Sequence, residues 1–429
     1  MIATLRNAWR VDEIRKKLLF VMFMILLYRL GNAVTVPYID NAALSLYFQQ
    51  IGNTVLGFIN TMSGSALERA SIFALSIQPY INASIIIQLL TVAIPALERL
   101  RKDGGEDGKK KMEKITRYST IGIAALQGYG FYMMISMNNM LDTNATGFWP
   151  PVVIVATFMA GSALLMWMGE QITEFGIGNG ISVILFVSIV ARFPTSVWDM
   201  LTKITDAPST WWIYILMLLG ALAIIVLIVI VTNAERRIPV QYSKRVVGRK
   251  MYGGQSTHLP MKVNMSGVLP VIFAQSIASI PATIVEFVPR WKEGWWMTHV
   301  FNTDTVPYMV LYFLLILFFS YFYSTVQFNP IEIANNLKKN GGFIPGFRAG
   351  KPTSEFIQKV LTKITLFGAL YLAIIAITPL IISYFSETAK NSRISLGGTS
   401  IIIVVSVALE TIKQLESQLL MRHYKGFLE

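Results

Sequence analysis

Long apolar segments alternate with shorter polar ones along the chain. A helix that crosses a bilayer needs about 20 mostly apolar residues, and ten segments of roughly that length stand out. The pattern therefore predicts an all-α polytopic membrane protein with ten transmembrane helices. The ten predicted spans are 18–36, 73–95, 116–136, 151–169, 177–193, 212–232, 267–288, 307–328, 364–385 and 396–416.

The second span is unusual because it places polar side chains inside a membrane-length segment. Gln78, Ser84 and Gln88 stand among its apolar residues. At about 100° per residue, Ile77 and Ile81 share one stripe with Ser84 and Gln88. Polar groups in a span can simply hydrogen-bond to a neighbouring helix, and that alternative stays open for each residue. Taken together they favour a helix that faces a wet cavity, with an aliphatic pair forming a constriction.

The segment 59–70, INTMSGSALERA, lies between the first two spans and is too short and too polar to cross the bilayer. Irregular backbone at membrane depth survives only inside the protein or beside a cavity. We therefore expect this segment to lie at the interface or to fold back into the protein.

Composition supports a membrane protein. Hydrophobic residues make up 54% of the chain and charged residues only 14%, with a mean hydropathy of +0.53, whereas soluble proteins are about a quarter charged. The basic N-terminal segment precedes an apolar run that Arg29 interrupts, and no clean small-residue cleavage site follows. The first span is therefore expected to stay uncleaved.

The basic residues predict the orientation. Of the 37 lysines and arginines, 29 fall on the side of the bilayer that holds both termini. Cytoplasmic loops carry the excess of positive charge, so both termini are predicted to be cytoplasmic.

The sequence lacks the residues that catalysis or ion-coupled transport would need. Acidic side chains occur only near the ends of spans, at Glu170, Glu286 and Glu410, so a proton or ion relay is not expected. No metalloprotease, nucleophile-elbow or phosphate-loop motif is present. The three histidines are far apart and there is no cysteine. We therefore expect no enzyme activity, no metal site and no cofactor.

Two long basic loops, 233–264 and 329–363, follow the sixth and eighth spans. Membrane topology alone explains part of their charge. They are longer than topology requires, however, and mix the charge with aromatic residues, proline and glycine. Such a composition favours an ordered docking surface for an acidic protein or an RNA backbone.

Five stretches in this order carry a resemblance over essentially the whole chain. They read ASIFALSIQPYINASIIIQLL, MGEQITEFGIGNGIS, QSTHLPMKVNMSGVLPVIFAQSI, FNPIEIANNLKKNGGFIPGFRAGKPT and LGGTSIIIVV. The chain resembles the bacterial SecY family, the channel subunits of the general protein-secretion translocase. The resemblance implies two pseudo-symmetric five-helix halves, 1–200 and 201–429, around an hourglass pore that opens sideways between the second and seventh spans.

The resemblance also implies site residues, position by position. The aliphatic pore ring falls on Ile77, Ile81, Ile181, Leu185, Ile272 and Ile403. The plug that seals the resting pore falls within 60–70, on Asn60, Thr61, Met62, Ser63, Gly64, Ser65, Ala66 and Leu67. The lateral gate is assigned to Ser84, Gln88 and Gln275, and the cytoplasmic docking residues are Arg245, Arg249, Lys250, Lys338, Lys339 and Arg348.

Three positions depart from the family pattern. Ser65 stands where the plug usually has a second glycine, Gln78 adds polarity near the ring, and Leu185 replaces a common isoleucine. Each is expected to adjust local packing without changing the assignment.

The implied function is a protein-conducting channel for unfolded preproteins, which releases hydrophobic segments sideways into the lipid. The implied partners are the small membrane subunits SecE and SecG, the SecA motor or the ribosome, and a preprotein or signal peptide. A lipid-linked substrate flippase would need membrane-embedded charges, which are missing. A passive assembly scaffold would need neither a plug nor converging aliphatic residues. Both remain alternatives.

Overall fold

A computed structural model describes most of the chain. The described residues are 2–50, 55–142, 147–206, 211–242, 245–247, 250–252, 256–265, 267–287, 294–302, 305–385 and 398–425.

A long helix occupies each of the ten predicted spans. These helices are α2 (Asp12–Gly31), α5 (Gln78–Ala93), α7 (Gly105–Met137), α8 (Trp149–Phe175), α9 (Gly180–Asp206), α10 (Trp211–Asn233), α11 (Leu269–Phe287), α13 (Val306–Gln327), α15 (Lys351–Phe385) and α16 (Gly398–Lys425). Within the described ranges, six helices are long and apolar enough by themselves to cross a membrane, and one bent pair makes a seventh. The other three predicted spans fall in α2, α7 and α11.

Six shorter helices complete the set found in this part of the chain. They are α1 (Ile2–Arg10), α3 (Asn41–Gln50), α4 (Val55–Met62), α6 (Pro95–Asp103), α12 (Trp295–His299) and α14 (Pro330–Lys339). Helices α5 and α6 form the bent pair, with an angle of 105° at the break. The break falls at Ile94, whose extended backbone and following proline both disfavour a continuous helix.

Helix α5 begins later than the sequence predicts. The predicted span starts at 73, whereas the structure forms turns over 72–77 and starts the helix at Gln78. Ser76 has a left-handed backbone, with φ of 53°, which a continuing helix cannot accommodate. Pro79 then lies in the first turn, where its missing N–H costs nothing.

The two long basic loops fold together into a small sheet, although the sequence predicts no strands. The strands are β1 (Glu235–Tyr242), β2 (Arg245–Val247), β3 (Lys250–Tyr252), β4 (Ser256–Lys262) and β5 (Gly342–Phe343). β1 pairs antiparallel with β4 and, on its other edge, with β5 from the second loop; β2 and β3 form a separate antiparallel hairpin. In β1 the buried Ile238 and Val240 alternate with exposed neighbours, the period-two pattern of a half-buried strand.

Helices of the first and second halves of the chain meet along two seams. α5 and α7 contact α11 along one seam, and α9 contacts α16 along the other. The largest core cluster draws on helices of both halves. A separate cluster joins the two basic loops to the start of α15, including Ile238, Ile344 and Ile357.

Candidate functional site

The six residues assigned to the pore ring come together in the central cluster. Ile77, Ile81, Leu185, Ile272 and Ile403 are buried members, at most 5% exposed, and Ile181 packs against them partly buried. They come from the N-cap and first turn of α5, from the start of α9, and from α11 and α16. The contacts are aliphatic and non-directional, so they hold the four helices together without fixing any one pairing.

The segment assigned to the plug packs against this cluster. Helix α4 ends at Met62, and Met62 belongs to the same buried cluster as the six residues above. Asn60, Ser63, Ala66 and Leu67 are also buried. The segment therefore folds back into the protein, one of the two positions that the sequence allows.

The plug segment is held in shape by one asparagine. The side-chain amide of Asn60 donates to Oε2 of Glu68 at 2.7 Å, and the backbone N–H of Glu68 donates to Oδ1 of Asn60 at 3.1 Å. The N–H of Ser65 donates to the Asn60 carbonyl oxygen at 2.9 Å. These three bonds close the turn between Asn60 and Glu68.

Gly64 and Ser65 make the turn with two successive left-handed residues, with φ of 69° and 66°. Glycine adopts this conformation freely, whereas the Cβ of serine makes it less favourable. The backbone therefore explains why a second glycine would suit position 65.

Of the three residues assigned to the lateral gate, Ser84 and Gln88 lie on α5 and bond to each other, whereas Gln275 lies on α11. The amide of Gln88 donates to Ser84 Oγ at 3.1 Å within α5, and Gln275 is buried on α11 beside the Tyr308 hydroxyl of α13. The hydrogen bond between α5 and α11 instead runs from Gln78 Nε2 to Ser276 Oγ, at 3.4 Å. The sequence flags Gln78 for its polarity, but Ser276 carries no signal of its own.

The docking residues that the structure describes lie on the β2–β3 hairpin, at the end of α14 and on the loop before α15. Arg245 lies in β2 and Lys250 in β3, while Arg249 is outside the described residues. Lys338 and Lys339 are exposed in the last turn of α14, which Asn329 caps by accepting from the N–H groups of Ile331 and Glu332.

Arg348 is exposed on a tight loop with two anchors. The ring of the neighbouring Phe347 packs on Phe356 with a centroid distance of 4.3 Å. The Arg348 carbonyl oxygen accepts a hydrogen bond from Thr353 at 2.8 Å. Left-handed glycines at 346 and 350 bracket the loop. The guanidinium is therefore carried by a loop of defined conformation rather than by an unanchored segment.

Comparison with known proteins identifies the family of this chain. The SecY family model matches residues 71–412. The chain is 44% identical over 442 residues to the protein translocase subunit SecY of Streptomyces coelicolor and 40% identical over 447 residues to that of Mycobacterium tuberculosis, and each match covers the full length of both chains.

Solved structures share the fold at low sequence identity. A structure described as that of a protein-conducting channel matches with a TM-score of 0.67 and 17% identity, covering 94% of this chain and 92% of that one. Sec61 in the canine ribosome-channel complex matches with a TM-score of 0.63 and 15% identity over the same shares. The relatives and the family model agree over nearly all of the sequence: this multi-pass membrane protein belongs to the SecY family of protein translocase subunits.

Proposed function

We propose that this chain is the channel subunit of a bacterial secretion translocase, which passes unfolded preproteins across the plasma membrane and releases hydrophobic segments into the bilayer. The observation that carries the proposal is the convergence of aliphatic side chains from α5, α9, α11 and α16, together with Met62, in one buried cluster. These four helices come from both halves of the chain, 1–200 and 201–429, so a change in their relative position would open a passage between the halves.

The chemistry of the ring suits a substrate of variable sequence. A translocating chain offers no fixed pattern of hydrogen-bond partners, so a selective site would reject most of its substrates. Isoleucine and leucine side chains make no directional bonds, and dispersion contacts act on any chain. In the resting state the same side chains exclude water, which blocks ions through dewetting.

The seam between α5 and α11 is the proposed lateral gate. Both helices contribute to the ring through Ile81 and Ile272, so opening the seam connects the ring to lipid. A hydrophobic segment lowers its free energy on leaving the ring for the hydrocarbon, whereas a polar segment does not. This difference sorts membrane segments from secreted ones. Ser84 and Gln88 then line the wet side of α5.

The surface formed by the two basic loops is the proposed docking surface for the partner that supplies energy. Arg348, Lys338 and Lys339 are exposed there, and positive charge fits an acidic motor protein or an RNA backbone. The family implies SecA or the ribosome at this face, and SecE and SecG beside the helices. A homologous channel has been captured in a ribosome complex. The channel itself is proposed to be passive, with both termini in the cytoplasm.

Site-specific photo-crosslinking to a stalled secretory precursor tests the ring. We expect adducts from a photoreactive residue at Ile81 or Ile181. Leu227 is the matched control, because its side chain is 45% exposed on α10 whereas that of the neighbouring Ile228 is buried in the central cluster, and it should give no adduct. Absence of adducts from both ring positions would mean that the cluster is ordinary core packing, and would reopen the flippase and scaffold alternatives.

A further inference from the structure

One face of α9 carries an arginine in line with the residues of the pore ring. At about 100° per residue, Ile181, Leu185 and Arg192 all point within about 40° of one another. At about 1.5 Å per residue, Arg192 lies about 10 Å beyond Leu185 along the helix. Helix α4, which leads into the plug segment, packs against α9. Arg192 is therefore on the side of α9 that forms the ring, further along the same passage.

The side chain of Arg192 bonds directly to the plug segment. Its Nη1 donates to Oγ1 of Thr61 at 3.1 Å. Thr61 lies in the last turn of α4, next to Met62, which belongs to the central cluster. The side chains of Arg192 and Thr61 are both half-buried. The bond thus joins the end of the plug helix to a helix that also contributes to the ring.

The hydrogen atoms of this contact have one arrangement. A guanidinium has five N–H donors and no acceptor, so Thr61 Oγ1 can only accept from Arg192. The single hydroxyl hydrogen of Thr61 goes instead to the carbonyl oxygen of Gly57, one turn earlier in α4, at 3.0 Å. The remaining donors of Arg192 allow it to keep other partners at the same time.

The backbone of the plug segment lies against the same helix. A Cβ added to Gly64 would lie 2.8 Å from the carbonyl oxygen of Ser188, so the glycine allows the two backbones to approach closely. Ser188 lies one turn before Arg192 on α9. The plug segment is therefore positioned on α9 by close packing at Gly64 and by a hydrogen bond from a cation at Thr61.

The bond to Thr61 suits a segment that must also leave. Withdrawal of the plug breaks a single hydrogen bond here, because the Thr61 hydrogen stays on the Gly57 carbonyl within α4. Arg192 is half-buried rather than enclosed, so water can replace Thr61 as its acceptor. The net free energy of such an exchange is small. The contact can therefore hold the plug without locking it.

We propose that Arg192 is a releasable clamp on the plug, which holds the closed state by donating to Thr61 and exchanges that acceptor for water when the plug leaves. This inference rests on the proposed role of 60–70 as the plug. Arg192 is a positioning residue: it acts on the channel through Thr61 and does not need to touch the translocating chain.

Amide hydrogen exchange of the plug in the purified complex is the first test. We expect exchange over residues 60–67 to become about fivefold faster in Arg192→Met, which removes the donor, and in Thr61→Val, which removes the acceptor with little change of shape. A fivefold change corresponds to about 1 kcal/mol. Thr61→Ser keeps the hydroxyl and should exchange like the wild type.

Resting ion conductance of the complex in a planar bilayer is the second test. The open fraction is compared rather than the unitary current, because loss of the Arg192 charge also changes how ions pass. We expect the open fraction to rise about fivefold in each of Arg192→Met and Thr61→Val. The double variant should show no further rise, because the two residues act through one bond.

Thr378→Val on α15 is the matched control for Thr61→Val. The Thr378 hydroxyl donates to the Ile374 carbonyl oxygen at 2.7 Å, the same bond to the preceding turn that Thr61 makes to Gly57. The control should leave plug exchange and open fraction unchanged. A similar rise in this variant would show that loss of a bond within a helix, rather than loss of the clamp, frees the plug.

Unchanged plug exchange in Arg192→Met, additive effects in the double variant, or a Thr61→Ser complex that behaves like Thr61→Val would overturn the clamp. Preprotein translocation by each complex is measured in parallel. A wild-type complex that transports no preprotein would contradict the proposed function itself. Hydrogen exchange of the plug does not depend on transport, so it decides on the clamp separately.

Discussion

The side-chain amide of Gln78 donates to Oγ of Ser276 at 3.4 Å, and this hydrogen bond connects α5 to α11. Both residues are buried. The bond lies next to Ile77 at the start of α5 and a few residues after Ile272 on α11. The seam that we propose as the lateral gate is therefore fastened at the level of the ring. Ser84 and Gln88 lie further along α5, with their own bond to each other.

Linking Gln78 to Ser276 should lock this gate. The chain has no cysteine, so a variant with Gln78→Cys and Ser276→Cys can be joined selectively with a short bifunctional thiol reagent. We expect release of a hydrophobic segment into the bilayer to fall at least tenfold, and to recover when no linker is added. Membrane insertion of a model segment measures the effect.

Gln88→Cys with Ser276→Cys is the control for the locked gate. Position 88 lies about 15 Å further along the helix from position 78, beyond the reach of the reagent, so insertion should stay normal. Normal insertion by the linked 78–276 pair would show that this seam does not open.

Ser65→Gly should stabilise the closed plug. Ser65 has a φ of 66°, and a residue with a Cβ pays about 1 kcal/mol for a left-handed backbone that glycine adopts freely. We expect a lower resting conductance and a slightly higher thermal unfolding midpoint. Ser65→Val, whose branched side chain worsens the conflict, should shift both quantities in the opposite direction. Identical behaviour of the two variants would mean that the strain does not affect the plug.

Reversing the charge of Arg348 should impair motor-driven export without disturbing the fold. Arg348 is exposed, so Arg348→Glu removes a proposed contact with an acidic partner and leaves the core intact. We expect the export rate to fall at least tenfold, while the complex purifies in normal yield. Lys359→Glu makes the same charge change at an exposed position further along α15 and should have a small effect. Unchanged export by Arg348→Glu would remove the docking proposal.

Phe356→Ala should weaken the same surface while keeping its charge. It deletes the partner of the Phe347 ring, a contact worth about 1 kcal/mol, and so frees the loop that carries Arg348. We expect faster amide hydrogen exchange over 344–350 and a several-fold lower export rate. Phe356→Tyr, which keeps the ring, should preserve both. Faster exchange with normal export would show that the position of Arg348 does not need to be fixed.

The transmembrane helices were predictable wherever the apolar pattern is uninterrupted. The predicted span 212–232 agrees with α10, Trp211–Asn233, to within one residue at each end. The predicted span that begins at 73 was wrong over its first five residues. Residues 73–77 are as apolar as the helix that follows them, so the sequence pattern does not separate the two. The left-handed backbone at Ser76 depends on tertiary packing rather than on local pattern.

Contacts between distant parts of the chain were not predictable from one sequence. The aliphatic residues were identified partly by a helical stripe and mainly by resemblance. The hydroxyl oxygens of Tyr28 and Ser188 lie 2.7 Å apart, although the two residues are separated by 160 positions and neither belongs to a motif. In the first basic loop, the alternation of Ile238 and Val240 with exposed neighbours was a usable strand signal. Its pairing with Phe343 in the second loop was not, because a two-residue strand has no pattern of its own.

The shared sheet has a mechanical consequence. β1 follows directly from α10, β4 leads towards α11, α14 follows α13, and β5 leads into α15. Four helices of the second half thus end on one small base with its own core. A force that a partner applies at Arg348 would therefore be transmitted to all four helices rather than to a single loop. Such a base lets a partner tilt the second half as a lever about its seams with the first.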